Sequence, residues 1–214
     1  MRPSTPEGLA RAAEAEGVRD PRLLDAIREI PRAGFVPAEH ADRAHVDAPI
    51  PISHDQVTTQ PSLVAQMIDA LRLTGIEHVL EIGTGYGFQT ALLGRMAAHV
   101  VSIERWDDMI EQARHNLARH AFANVQLLVG DGSEGAPDHA PFDGILVAAA
   151  YPEIPDPLVR QLRVGGRLVQ PVGSGGHEQV VVFHRTPSGL DSGEHLTAAS
   201  FVRLHGRHGY NSPG

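Results

Sequence analysis

Two carboxylates and a glycine cluster, Glu81, Gly83, Gly85, Gly87 and Glu104, form the densest set of groups in this chain fit to hold a small charged ligand. Glycines let backbone amides approach a ligand closely and take positive φ where a Cβ would clash. A helix starting straight after them turns its unpaired N–H groups to the same spot. Glu104 follows Gly83 by 21 positions, close to the spacing of about 20 at which an acid ending a second strand reaches a ribose. Glu81, just ahead of the glycines, would repel a phosphate but could receive an ammonium, directly or through water. The third glycine of GTGYG comes two residues after the second, where a dinucleotide fingerprint needs three.

Two smaller groups join this set. Thr58, Thr59 and Gln60 stand before Pro61, which suits the first position of a helix because its missing N–H would be unpaired there anyway. Their hydroxyls and amides converge on whatever lies above the helix end, or Thr59 or Gln60 simply caps it. Asp131, between Gly130 and Gly132, closes a third strand, where it accepts from an adenine amino group or serves as a turn aspartate.

The elements that must carry these groups follow from hydrophobic period. Val79, Leu80 and Ile82 read as a buried strand, Phe88, Ala91, Leu92 and Met96 as one helix face, and Val100, Val101 and Ile103 as a second strand. This strand, Gly-rich turn, helix, strand and acid form the first half of a nucleotide-binding βαβ fold. Helices are expected over Leu9–Ala13, Leu23–Ile30, Pro61–Leu71, Met109–Ala121 and Leu158–Leu162, the last ended by Gly165 and Gly166. Further strands are expected over Val125–Val129, Phe142–Ala149, Arg167–Val172 and Gln179–His184, with Leu196–Leu204 as an antiparallel edge strand. Phe35–Ile52, with its prolines, reads as an irregular extended cover, 173–176 and 187–194 as turns, and 205–214 as a frayed tail. The expected fold is α/β: a doubly wound, Rossmann-like, mostly parallel sheet with N-terminal helices and an antiparallel edge strand. It is one domain overall, with an N-terminal helical and lid segment over 1–75, a ligand-binding core over 76–185 and an edge strand and tail over 186–214.

The 214 residues suffice for a sizeable core. All 18 basic residues are arginine, the net charge is −8, and no basic stripe is visible, which argues against nucleic acid. Zero cysteines exclude disulfides and thiolate metal sites. The 13 histidines form no HxH or HExxH pattern, so no metal is expected. Ser133 and Ser174 lack a GxSxG nucleophile elbow. No apolar stretch approaches a membrane span and no signal region is visible, so a cytoplasmic protein is expected.

The arrangement E-x-G-x-G-x-G resembles motif I of the class I methyltransferases that use S-adenosylmethionine, a nucleoside with a positive sulfonium and no phosphate. Taken with VTTQPSLVAQM (57–67), VLEIGTGYGFQTALL (79–93), GDG (130–132), FDGILVAAAYPEIPDPLVRQL (142–162) and GGRLVQPVG (165–173), the chain resembles the protein-L-isoaspartate O-methyltransferases from about Ile27 to Val172 and weakly to Leu204. The resemblance implies methyl transfer from S-adenosylmethionine to the α-carboxylate of an L-isoaspartyl residue in a damaged protein, after which the ester closes to a succinimide that can reopen to aspartate.

By the same resemblance, cofactor contacts fall on Gln56, Val57, Thr58 and Thr59, on Glu81, Gly83 and Gly85, on Glu104 with Arg105, and on Asp131 with Gly132. Thr59 falls at the family's active-site serine and keeps its hydroxyl. The family usually has glycine at the positions of Ser53 and Asp55, and its Pro-Arg-x-x-Phe element survives as Pro31, Arg32 and Phe35. Ser53, His54 and Asp55 are therefore expected beside the substrate mouth, either as a tolerated change or as the mark of a different substrate, an aspartate side chain in a dedicated partner peptide. A monomer acting on isoaspartyl or aspartyl peptides is expected. The other classes left open are a nucleic-acid or small-molecule methyltransferase and a nucleotide-binding module or NAD-dependent oxidoreductase. Against the first, the fourth strand runs into Ala149-Ala150-Tyr151-Pro152, without an Asn/Asp-Pro-Pro-aromatic motif.

Overall fold

The computed structural model describes residues 5–174 and 176–211. The tail's last three residues, 212–214, and residue 175 of the expected turn lie outside them. Two helices open the fold, α1 (Pro6–Ala15) and α2 (Pro21–Glu29), each with proline in its first turn and a side-chain cap, from Thr5 and Asp20. After a 3₁₀ turn over Arg32–Phe35, the segment expected to be irregular makes another over Ala38–Arg43. It then makes a short antiparallel pair, β1 (Ile50–Pro51) with β2 (Val57–Thr58), which leads into α3 (Pro61–Ala70).

The central unit then runs β3 (His78–Ile82), α4 (Phe88–Met96), β4 (His99–Glu104), α5 (Asp107–Ala118), β5 (Val125–Val129), β6 (Phe142–Val147), α6 (Asp156–Gln161), β7 (Leu162–Val172), β8 (Glu178–Thr186), β9 (Gly189–Leu190) and β10 (Glu194–Ala199). The sheet order is β10-β8-β7-β6-β3-β4-β5, with β9 on β8. Strands β5, β4, β3, β6 and β7 are parallel, and β8 and β10 are antiparallel at the edge. The order reverses between β3 and β6, so a crevice opens beyond the carboxyl ends of these strands.

Alternation along β3 decides which groups lie beneath which helix. Val79 packs in the core that contains α1 to α4, while Leu80 and Ile82 pack in the core of the opposite face with Phe142, Ile145 and Leu168. Glu81, two residues from Val79, therefore faces α4.

Three expectations change at the carboxyl-terminal side. Helix α6 ends at Gln161 and the chain enters β7 at once, so Gly165 and Gly166 lie inside the strand. A Cβ on Gly166 would meet the Asp143 carbonyl oxygen at 2.7 Å, which is why glycine stands there. The edge strand stops at Ala199, after which the chain crosses the sheet end. Ala150 N donates to Val202 O at 2.7 Å and Leu204 N to Ala150 O at 2.8 Å. The expected tail forms a turn over 205–210 that folds back, with Gly206 N on Tyr210 O and Tyr210 N on Leu204 O. The pairing of Leu204 with Ala150 and the bonds of Arg207 N to the Asp131 carboxylate and His208 N to Ser133 Oγ hold it, long-range contacts that local polarity does not announce.

Candidate active site

The crevice is built from three strand ends. Gly83 follows β3, Ala148 follows β6 and Glu104 ends β4, and all three line it. Gly83, Gly85 and Gly87 take φ of +96°, +55° and +94°, and at Gly83 and Gly87 the backbone favours glycine strongly. Gly87 ends the turn and α4 starts at Phe88, which aims the positive end of the helix at the crevice.

Glu104 is held from behind. Its Oε2 accepts from Gly85 N at 3.1 Å and its Oε1 from Arg105 N at 2.8 Å. Burial pushes its pKa up against the pull of these backbone donors. The Arg105 guanidinium stacks over the Trp106 ring at 4.8 Å. Among the described residues no Arg lines the crevice at the glycine turn, while Arg105 and Arg203 line its continuation beyond Glu104. At the glycine turn a phosphate would face the Glu104 carboxylate, whereas a sulfonium would meet negative potential.

Beyond Glu104 the crevice continues between Gly132, Ala149, Leu204 and His205. Gly132 is pressed on Ile82, where a Cβ would come within 2.3 Å of its methyl carbon, so only glycine fits. Asp131 does not line this part. Its carboxylate accepts from Ser133 N and Oγ and, at 2.7 Å, from Arg207 N, so it anchors the 205–210 turn. These donors outweigh its burial and hold its pKa below the usual carboxylate range.

Glu81 differs from the expected open contact. It has no accessible surface, and its carboxylate accepts from Gln89 Nε2 at 2.8 Å, Thr90 Oγ1 at 2.6 Å and Ser102 Oγ at 2.5 Å. Ser102 in turn shares a hydrogen bond with Thr84 in the glycine turn. Burial raises the Glu81 pKa to about 7 despite the three donors.

On the other side of the crevice lies the strand end before α3. Gln56, Val57, Thr58 and Thr59 all line the crevice. Arg32 is wholly buried behind them. Its Nη2 donates to Thr58 Oγ1 at 2.7 Å and to Thr59 O at 3.3 Å, while Nη1 and Nη2 bind the carbonyls of Ala44, Val46 and Ala48. Burial lowers its pKa to about 10, partly offset by Asp47. Neither Thr59 nor Gln60 caps α3. Asp47 does so across the loop, accepting from Ser62 N at 2.9 Å and Ser62 Oγ at 2.8 Å. The Thr59 side chain thus stays out of the helix cap.

Thr59 also borders a second groove of about 280 Å³, lined by Gln60, Leu63, Gln66 and the Thr197–Val202 segment. Val57, Thr59, Ala148 and Val202 belong to both spaces, so Thr59 marks their junction.

Ser53, His54 and Asp55 are not brought to that groove. Gln56 N donates to Ser53 O, and His54 and Asp55 take φ of +58° and +54°, which turns the loop toward α5 instead. Ser53 Oγ meets Tyr86 Oη at 2.8 Å, and His54 stacks on Trp106 at 4.0 Å while its Nε2 donates to Asp108 at 2.9 Å. Tyr86, Trp106, Asp47, Gln89 and the 203–210 segment are site elements that sequence reasoning missed. For Gln89 and Thr90 a signal existed: two polar residues at the start of a helix that must cover a strand carrying Glu81. Among the described residues no group of three His, Asp or Glu could hold a metal, and no helix is long and apolar enough to cross a membrane.

The family model described as Protein-L-isoaspartate(D-aspartate) O-methyltransferase (PCMT) matches residues 5–209. A protein-L-isoaspartate O-methyltransferase of Methanoregula boonei is 46% identical over 196 residues, covering 92% of this chain and 90% of its own. That of Myxococcus xanthus is 44% identical over 203 residues, covering 94% and 96%. A solved protein-L-isoaspartate O-methyltransferase superposes with a TM-score of 0.83 at 28% identity, over 96% of this chain and 67% of its own. With a crevice at the β3/β6 reversal, an acid ending β4 and a threonine at the mouth of a second groove, the chain belongs to the protein-L-isoaspartate O-methyltransferase family.

Proposed function

We propose that this protein methylates the α-carboxylate of L-isoaspartyl residues in damaged proteins and peptides, using S-adenosylmethionine. The observation that carries the reading is the position of Thr59 at the junction of a crevice that holds the glycine turn and Glu104 and a second, peptide-sized groove. The cofactor supplies a methyl group on a positive sulfur, which a carboxylate oxygen attacks directly as the C–S bond breaks and its electron pair returns to sulfur.

The residues fit that cofactor. Glu104 accepts the ribose hydroxyls, the Gly83–Gly87 turn lets the chain come close, and Gly132 with Leu204 and His205 encloses the adenine. Gln56, Val57, Thr58 and Arg105 wall the same crevice. Asp131 and Glu81 act from behind it, Asp131 by anchoring the 205–210 turn and Glu81 through its neighbours.

The substrate carboxylate, with a pKa of about 4, is already ionised at neutral pH, so no general base is required. Thr59 donates a hydrogen bond that aims it, and the groove strips its water. Positioning of this kind can contribute about 7 kcal/mol or more. The ester then loses methanol as it closes to a succinimide, which reopens to aspartate or isoaspartate.

The groove suits an extended peptide rather than nucleic acid, in keeping with a net charge of −8. One chain supplies every wall of the crevice and groove, which supports action as a monomer, and we place that action in the cytoplasm. The experiment is incubation of an isoaspartyl peptide with saturating S-adenosylmethionine, followed by measurement of methanol released in mild base. Methanol release is expected; none would overturn the reading.

A further inference from the structure

The residues that join β1 to β2 tie one wall of the crevice to the other. Ile52 and Gln56, at the two ends of this loop, line the crevice on the side of α3. The tip is fastened on the opposite side. Ser53 Oγ meets Tyr86 Oη in the glycine turn, and Tyr86 O accepts from Asn116 of α5. His54 lies flat on Trp106, with ring centroids 4.0 Å apart and planes 4° from parallel, and its Nε2 donates to Asp108 at 2.9 Å.

This closure works against the backbone. His54 and Asp55 take φ of +58° and +54°, two successive left-handed conformations that are unfavourable for residues with a Cβ. An aromatic stack and a hydrogen bond to an exposed carboxylate are gains of the same order as that strain. The closed loop is therefore only modestly favoured, which is the condition for a part that opens and shuts. Something must open, because the free volume at the glycine turn is about 70 Å³. At about 10–15 Å³ per water this holds a few waters and no nucleoside.

We infer that residues 52–56 are a strap that gates the crevice, latched shut by His54 on Trp106 and Asp108 and sprung by the left-handed backbone at His54 and Asp55. Release of the latch relieves the spring and lets S-adenosylmethionine enter and the spent S-adenosylhomocysteine leave. The latch residues do not line the crevice. They therefore shift the balance of open and closed forms by the same factor whether the crevice is empty or filled, and both binding rates change together while affinity does not. The inference rests on the cofactor reading above and goes beyond it by naming what controls exchange of the ligand.

The test is surface plasmon resonance of S-adenosylhomocysteine on wild-type protein and three variants. His54→Ala removes stack and hydrogen bond, and is expected to raise the association and dissociation rates alike, by about tenfold, with Kd within about twofold. Asp108→Ala removes the hydrogen bond alone and should raise both by about threefold. Asp55→Gly removes strain from the closed form and should lower both by about threefold. Trp106 is the only tryptophan of the chain, so its fluorescence in wild-type protein reports loss of the stacked imidazole and should change at the rate of ligand release. Unchanged rates, or a weaker Kd without faster association, would overturn the inference, as would faster exchange in Asp55→Gly. Failure of wild-type protein to bind S-adenosylhomocysteine would instead overturn the cofactor reading, and the inference with it.

Discussion

Arg32 Nη2 donates to the hydroxyl of Thr58 at 2.7 Å, which engages one of two adjacent threonines in the protein interior. The neighbouring Thr59 hydroxyl has no such partner among the described residues, and Asp47 has taken over the helix cap that would otherwise use it. The two threonines are thereby assigned different work: Thr58 fastens the strand end and Thr59 faces the junction.

Thr59→Val is expected to lower kcat by about a hundredfold, the scale of losing one oriented donor, while the affinity for S-adenosylhomocysteine stays within about twofold. Thr59→Ser is expected to retain activity. Thr58→Val should reverse the pattern, losing about 1–3 kcal/mol of stability by leaving a guanidinium N–H unpaired. Steady-state kinetics and urea denaturation on the three variants check this.

Arg32 satisfies three loop carbonyls besides Thr58 and Thr59, and it has no carboxylate within ion-pair distance among the described residues. Arg32→Met would strand those acceptors. A loss of about 3 kcal/mol or more is expected, read from denaturant midpoints. Arg32→Lys should recover only part of it, since one ammonium cannot span five acceptors.

Glu81 makes a pH signature. Its folded pKa of about 7 lies above the ordinary 4.5. The folded state therefore holds a proton that the unfolded state has lost. Its contribution to stability is whole below about pH 4.5, falls as pH rises to about 7 and is flat above. The gap corresponds to about 3 kcal/mol. Glu81→Gln lacks this titration, so its stability relative to wild type should climb between those pH values and then level off. Glu104 has the same sign of shift but is present in both proteins, so it cancels. Thermal melts across pH test the difference.

The 205–210 turn closes the adenine end through Gly206, where a Cβ would stand 2.0 Å from Asp131 Oδ1. Gly206→Ala must lift the turn from Asp131. Both S-adenosylhomocysteine and its amino-free analogue should then weaken together, by about tenfold, because the loss is at the shared adenosine end. Calorimetry with the two ligands checks this.

Much of this was readable before any coordinates. Hydrophobic period and the glycine turn located β3, α4 and β4, because a buried parallel strand and the helix after it leave strong local patterns. Gln56 to Thr59, Gly83, Gly85, Glu104 and Gly132 do converge on one crevice. What escaped was set by distant contacts. The Asp131 carboxylate is claimed by Arg207, 76 residues away, and Asp47 caps a helix 15 residues on. The burial of Glu81 under α4 could have been read from its alternation with Val79. The turn at Ser53–Asp55 could not, because two non-glycine residues with left-handed φ redirect the loop.

The most direct measurement offers wild-type protein two peptides of one sequence, one with isoaspartate and one with ordinary aspartate, and follows both by mass spectrometry with saturating S-adenosylmethionine. The account predicts a methyl ester and then aspartyl product from the isoaspartyl peptide, with its twin unchanged. Ester on the aspartyl peptide alone, or on neither, would contradict it.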